Sequence, residues 1–256
     1  MLLKALLLLY MSMANPADSV SFLDYQKGFS RVEEALEQKS DSLAAEFAAK
    51  GLSYPPKQVF VRAFKHDMEL ELWVRESDQD SFKLFKTYPV CMNSGVMGPK
   101  RKQGDRQIPE GFYHIEVFNP WSNYHLSMGI NYPNESDRII SPHEDKGGDI
   151  YIHGGCATIG CLPLTDDNIK EVYILSVYAK HQGQKDIPVH IFPTRMEKIG
   201  MAQFIFGENH NEELMQFWTN LRMGYTYFEV MRRLPRIEVA EDGKYVFYES
   251  SDLKQD

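Results

Sequence analysis

Tyr151-Ile152-His153-Gly154-Gly155-Cys156-Ala157-Thr158-Ile159-Gly160-Cys161-Leu162-Pro163-Leu164-Thr165-Asp166 is the stretch on which this chain turns. Tyr151-Ile152-His153 reads as the end of a strand that delivers His153. Thr165 has the short side-chain oxygen of a helix cap. The helix it starts runs to about His181, with Ile169, Val172, Tyr173, Leu175, Tyr178 and Ala179 inward and Gly183 as the stop. Between strand and helix, glycines at 154, 155 and 160 let the backbone turn sharply and approach a substrate closely. A histidine and a cysteine on opposite arms of one short loop can meet within hydrogen-bond reach. Cys161 is then the candidate nucleophile and His153 its base. The backbone N–H groups of Gly160 and Cys161 are candidate oxyanion donors. An imidazolium beside Cys161 is expected to pull its thiol below the free-cysteine pKa of about 8.5.

Residue types alone leave other chemistries open. His153, Cys156 and Cys161 can form three ligands of a zinc site completed by His190 or His125, although the spacing fits no common structural zinc site. Cys156 and Cys161 can close a local disulfide, and a cysteine after a strand can be a small buried hydrophobe.

Working outward, strand signals lie at Val59–Val61, Leu70–Val74, Phe82–Val90, Phe112–Phe118, Leu126–Tyr132, Asp149–His153 and Ile187–Phe192. Leu70, Leu72 and Val74 alternate with Glu69, Glu71 and Trp73, which predicts one wet face. Short spacings without intervening helices predict an α+β protein with a mostly antiparallel β core and flanking helices. Phe22 to Lys50 predicts an amphipathic helix with a break near Ser40-Asp41-Ser42. Residues 208–234 predict a helix whose stripe of Leu214, Phe217, Trp218, Leu221 and Tyr225 is core. Arg236 to Tyr248 predicts a hairpin turning at Asp242-Gly243. The organisation expected is a helical arm over 15–56, a catalytic domain over 57–193 and a C-terminal accessory segment over 194–256.

The chain has 256 residues, 43% hydrophobic and 25% charged, an ordinary globular balance. Its net charge of −8 argues against sequence-independent nucleic-acid binding. Met1-Leu2-Leu3-Lys4, the apolar run Ala5 to Met13 and Ser12-Met13-Ala14 predict a signal peptide over 1–14, hence export, with no transmembrane helix after its removal. Three cysteines in an exported chain leave at least one thiol unpaired or bonded to another molecule.

The central stretch resembles the catalytic motif of the L,D-transpeptidase (YkuD) family, in its YafK-like branch. Ile152-His153-Gly154 and Thr158-Ile159-Gly160-Cys161 carry the likeness. So do Gly98 to Asp105, Pro109-Glu110-Gly111-Phe112-Tyr113, Tyr132-Pro133-Asn134 with Asp137-Arg138, and Gly147-Gly148-Asp149-Ile150. It spans about residues 57–193. The resemblance implies a periplasmic enzyme that needs no cofactor or metal and acts on peptidoglycan stem peptides. Cys161 forms a thioester acyl-enzyme, His153 is the base, and the Gly154 carbonyl orients the imidazole. An amine acceptor then gives a crosslink. Water gives hydrolysis of a crosslink or of the tether of a wall-attached envelope protein. A non-catalytic wall-binding module is the second alternative. Ile159, Leu162-Pro163 and a short histidine-to-cysteine loop depart from the common family form, which leaves donor and acceptor open. Candidate substrate-binding residues are Lys100 and Arg106 of the basic run, His125, Tyr132 and Thr158, with Tyr124 beside them. Cys156 is expected either to resolve an oxidised Cys161 by forming a disulfide with it or to fill space.

Overall fold

The N-terminal arm forms two helices, α1 (Phe22–Lys27) and α2 (Ser30–Ala49). The chain is seen in a computed structural model that describes residues 20–197 and 211–249. The signal segment expected at 1–14 lies outside the described residues, as do 198–210 and 250–256. The break falls at Gly28-Phe29, not at Ser40-Asp41-Ser42. Those three residues stay helical because Val32, Ala35, Leu36, Leu43 and Phe47 bury one continuous stripe, and tertiary burial outweighs the weak helix propensity of Ser and Asp.

Eight strands make one mixed sheet: β1 (Gln58–Phe64), β2 (Glu69–Arg75), β3 (Lys83–Pro89), β4 (Gly111–Asn119), β5 (Ser127–Ile130), β6 (Tyr151–His153), β7 (Leu162–Pro163) and β8 (Pro188–Phe192). Their spatial order is β3-β2-β1-β8-β4-β5-β6-β7. Most neighbours are antiparallel; β1 with β8 and β6 with β7 are parallel. Helix α3 (Glu135–Ile140) sits in the β5–β6 connection and α4 (Asp166–His181) follows β7. Thr165 accepts from the Asn168 N–H at 3.2 Å, the N-cap its sequence position implies.

Period-two alternation divides β1 between two cores. Val59, Val61 and Ala63 lie opposite Val74, Leu72 and Leu70 in register, and these residues join the core that includes α2 and α4. Phe60, Arg62 and Phe64 fall on the other face. That face is covered by α5 (Glu212–Met231) and the hairpin β9 (Arg236–Val239) and β10 (Tyr245–Tyr248). The wet face expected on β2 is therefore dry at Glu71 and Trp73, which are buried, the Trp73 ring standing edge-on to Phe228 of α5, centroids 4.9 Å apart, while Glu69 stays part exposed. Sequence alternation reports which residues are polar; only the covering helix decides whether water reaches them. The expected stripe on α5 is core, with Trp218, Leu221 and Tyr225 buried.

Charges buried under α5 are paired. Arg62 bridges Glu71 and Glu229. Its guanidinium lies 4.9 Å from the Phe228 ring centroid and 5.2 Å from that of Trp73. Lys65 Nζ donates to the Gly98 carbonyl, the Ile108 carbonyl and Glu110, all within 2.9 Å. Glu110 also accepts from Trp218 Nε1 at 2.7 Å, so this carboxylate ties α5 to the start of β4.

Candidate active site

β6 is three residues long, and each has its place set by neighbours on both sides. It pairs antiparallel with β5, setting Ser127 beside His153, and parallel with β7, setting Leu162 beside Ile152. Ile152 and Leu162 turn into the core. Tyr151 and His153, two apart, share the opposite face. Cys161 precedes β7 by one residue, so the same parallel register sets it beside Tyr151. The Tyr151 N–H points at Cys161 Sγ at 3.4 Å, and the sulfur lies 3.6 Å from the Asp149 carbonyl oxygen. His153 and Cys161 line one cavity of about 240 Å³ with Asn119, Ser122, Asn123, Tyr124, Ser127, Asp149 and Tyr151.

The imidazole is oriented by its own strand end. His153 Nδ1 lies 2.5 Å from the Gly154 carbonyl oxygen. A carbonyl only accepts, so Nδ1 carries the proton and the lone pair sits on Nε2. Tyr124 lies over the other side, ring centroids 4.7 Å apart. Gly154 is required by crowding: a Cβ there would meet Asp166 Oδ1 at 2.6 Å and the Tyr124 carbonyl oxygen at 2.8 Å. Asp166 Oδ1 also accepts from the Gly155 N–H at 2.8 Å.

Burial pushes the His153 pKa down, against the smaller upward pull of the Gly154 carbonyl. Burial also pushes the Cys161 thiol up, with Asp149 adding to the rise and the Tyr151 N–H and Lys100 opposing it. The expectation of a thiol pulled below its free value is thus reversed at rest. Both groups lose water, and desolvation favours the neutral thiol and neutral imidazole over the ion pair.

The loop between them differs from its sequence reading in two ways. Cys156 is bonded to Cys91, across 65 residues, and not to Cys161. The bridge pins the loop to the chain beyond β3, leaves Cys161 as the free cysteine and takes Cys156 out of both the zinc set and the resolving role. Among the described residues, no group of three or more His, Cys, Asp or Glu side chains is drawn together as a metal site. The Gly160 N–H, expected as an oxyanion donor, donates instead to Thr158 Oγ1 at 3.1 Å, and that hydroxyl donates to the Cys161 carbonyl at 2.8 Å. Thr158 therefore shapes the turn before the cysteine rather than reaching into the cavity.

The other expected substrate contacts scatter. Lys100 is buried, its Nζ held by Asp105 at 2.8 Å and the Lys102 carbonyl at 2.9 Å. Asp105 also gathers the N–H groups of Arg101, Lys102 and Gln107, so the basic run is wrapped on one carboxylate. Arg106 is exposed and lines no part of the cavity. Tyr132 is buried and donates to the Lys146 carbonyl. His125 lies off the cavity, in the field of Asp166, Lys170, Arg31 and Glu34, and burial holds its pKa down.

Sequence reading passed over Asn119, Ser122, Asn123, Ser127, Asp149 and Tyr151. Tyr151 and Asp149 were within reach by period-two counting from His153; the others come from β4, β5 and the connection between them, which only the fold brings to His153. It also passed over Arg31, whose guanidinium donates to the Ser122 and His125 carbonyls at 2.5 and 2.6 Å and anchors the cavity wall to α2.

Residues 70–191 match the YkuD family, the L,D-transpeptidase catalytic domain. The chain is 35% identical over 190 residues to "Putative L,D-transpeptidase YafK" of Escherichia coli K12, covering 73% of each protein. The same figures hold for the protein of that name from Escherichia coli O157:H7. Among solved structures, it is similar to the helical cell shape determining protein Pgp2 of Campylobacter jejuni, with 21% identity, 72% of this chain and 73% of that one covered, and a TM-score of 0.42. It is also similar to Bd1075 of Bdellovibrio bacteriovorus, with 19% identity, 70% and 62% covered, and a TM-score of 0.38.

Proposed function

The chain belongs to the YkuD family of L,D-transpeptidase catalytic domains, and from that premise we propose that it is an exported transpeptidase of the bacterial envelope that forms a thioester on Cys161. The observation that carries the proposal is one geometry. His153 has Nδ1 committed to the Gly154 carbonyl, and His153 and Cys161 line one cavity.

The donor is the stem peptide of peptidoglycan. His153 Nε2 takes the Sγ proton as sulfur attacks the donor carbonyl, so the thiolate forms only as the carbon–sulfur bond does. That order suits a resting pair held neutral by burial. The negative charge reaching the carbonyl oxygen is met by the Cys161 N–H, since the Gly160 N–H is engaged by Thr158. The imidazolium returns its proton to the departing amine, leaving the thioester. An amine acceptor, deprotonated by the neutral His153, then takes the acyl group and restores the thiol. Water in place of that amine gives hydrolysis of a crosslink or of a protein–wall tether.

Incubation with a tetrapeptide stem, read by intact-protein mass, tests this. The expected result is an acyl adduct that maps to Cys161, is absent from Cys161→Ala and forms at least about 10²-fold more slowly in His153→Gln. An adduct that persists in Cys161→Ala, or no adduct on the intact chain, overturns the proposal. A muropeptide digest then separates transfer, which gives a new crosslink, from hydrolysis, which gives none.

A further inference from the structure

We propose that Trp121 and Tyr124, at the rim of the cleft, form a sugar subsite that takes the neutral hexosamine ring to which the stem peptide is attached; the inference rests on the stem-peptide reading above. Trp121 is 69% exposed, whereas Trp73 and Trp218 are buried at 7% and 4%. A single exposed aromatic is ordinary on a surface. This one is held in a fixed pose. Its ring stands edge-on to Phe29, centroids 5.6 Å apart, and Phe29 is braced the same way by Tyr25 at 5.2 Å. Its backbone N–H donates to Asn119 Oδ1 at 3.0 Å.

The segment bearing it is fixed as well. Arg31 clamps the carbonyls of Ser122 and His125. His125 itself sits at φ 65°, a left-handed conformation that a non-glycine residue keeps only where its surroundings hold it. Tyr124, 46% exposed, joins this platform to the His153 ring. The cavity lining includes Asn119, Ser122, Asn123 and Ser127, uncharged hydrogen-bonding side chains, with Asp149 the one acidic member. Such a wall suits hydroxyls and acetamido groups rather than carboxylates. The electron-rich face of an indole suits the polarised C–H bonds of a sugar ring. Tyr124 lines the cavity that Cys161 also lines, and Trp121 stands between two further lining residues of the chain, Asn119 and Ser122.

The two buried tryptophans make acrylamide quenching a readout of Trp121. In the Cys161→Ala protein, a disaccharide–tetrapeptide fragment is expected to shield Trp121. By calorimetry it is expected to bind about threefold to tenfold more tightly than the free tetrapeptide. Trp121→Ala should bring that ratio to one, and Trp121→Tyr should keep most of it. Equal affinities for the two fragments, shielding by the bare tetrapeptide to the same extent, or a ratio unchanged in Trp121→Ala overturns the subsite. Acylation of wild-type Cys161 by both fragments with a binding ratio of one sinks the subsite alone. Failure of both fragments to acylate Cys161 sinks the transferase reading.

Discussion

Two regions of this protein bury polar groups, and they treat them in opposite ways. Under α5, Lys65 meets three oxygens and Glu110 answers both Lys65 and Trp218. Arg62 is paired with two carboxylates and flanked by rings. In the cleft, His153 spends one nitrogen on Gly154, and Cys161 makes only long contacts, accepting from the Tyr151 N–H and donating to the Asp149 carbonyl. Burial without saturation leaves His153 and the Cys161 thiol lining one cavity. The paired charges under α5 hold the sheet on which that cavity stands, although His190 Nδ1 on the same face is left without a hydrogen-bond partner among the described residues. A buried polar group is thus informative by what it leaves unmet.

The contrast can be broken most forcefully at Glu110. Glu110→Ala leaves Lys65 buried with carbonyls alone, and stability should fall by about 3–5 kcal/mol in urea unfolding. A loss under about 1 kcal/mol would mean that this network is wet and not the mirror image of the cleft.

The disulfide sharpens the comparison, because it supports the cleft covalently where α5 supports the sheet by charge pairing. The double replacement Cys91→Ala, Cys156→Ala should cost about 2–4 kcal/mol from the freed unfolded chain. It should also slow Cys161 acylation, since the loop from Gly154 to Gly160 loses its tether. Unchanged acylation in a destabilised protein would assign the bridge to folding only.

His190 supplies a pH signature whose effect per pH unit is the smallest of the three. It is wholly buried between Phe60 and Phe112, beside Arg62, with its pKa pushed down to about 3. The unfolded chain therefore binds a proton that the folded chain refuses. Stability from this residue is complete above the unfolded value near 6.5 and falls with acid toward about 3, by up to about 1.4 kcal/mol per pH unit. His190→Phe should flatten that part of the urea-midpoint profile between pH 6 and 4. An identical slope in the variant would show that His190 stays neutral in neither state or is reached by water.

Much of this was legible in the chain. The stretch from Tyr151 to Asp166 carried its strand, its turn and its helix cap in local chemistry: Ile152 between two ring side chains, glycines and Thr165. The hairpin at Asp242-Gly243 and the core stripe of α5 followed from period and turn type. What misled was side-chain pairing and burial, which residue type and period do not report. Ser40-Asp41-Ser42 resembled a break until the buried stripe of α2 ran through it. Lys100 looked like a substrate guide until Asp105 closed on it, and Gly160 looked like a donor until Thr158 took its N–H.

By itself, the sequence determined the local elements, the cysteine and histidine flanking one tight loop, and membership of a family through motifs of fixed order. Tertiary structure alone decided that Cys156 bonds to Cys91, that the charged face of β2 is dry at Glu71, and that the cleft wall is Asn, Ser and Tyr held by Arg31. The reason is physical. Turn chemistry and periodicity act within a few residues, whereas disulfide pairing, desolvation and cavity walls depend on which distant segments the folded chain brings together.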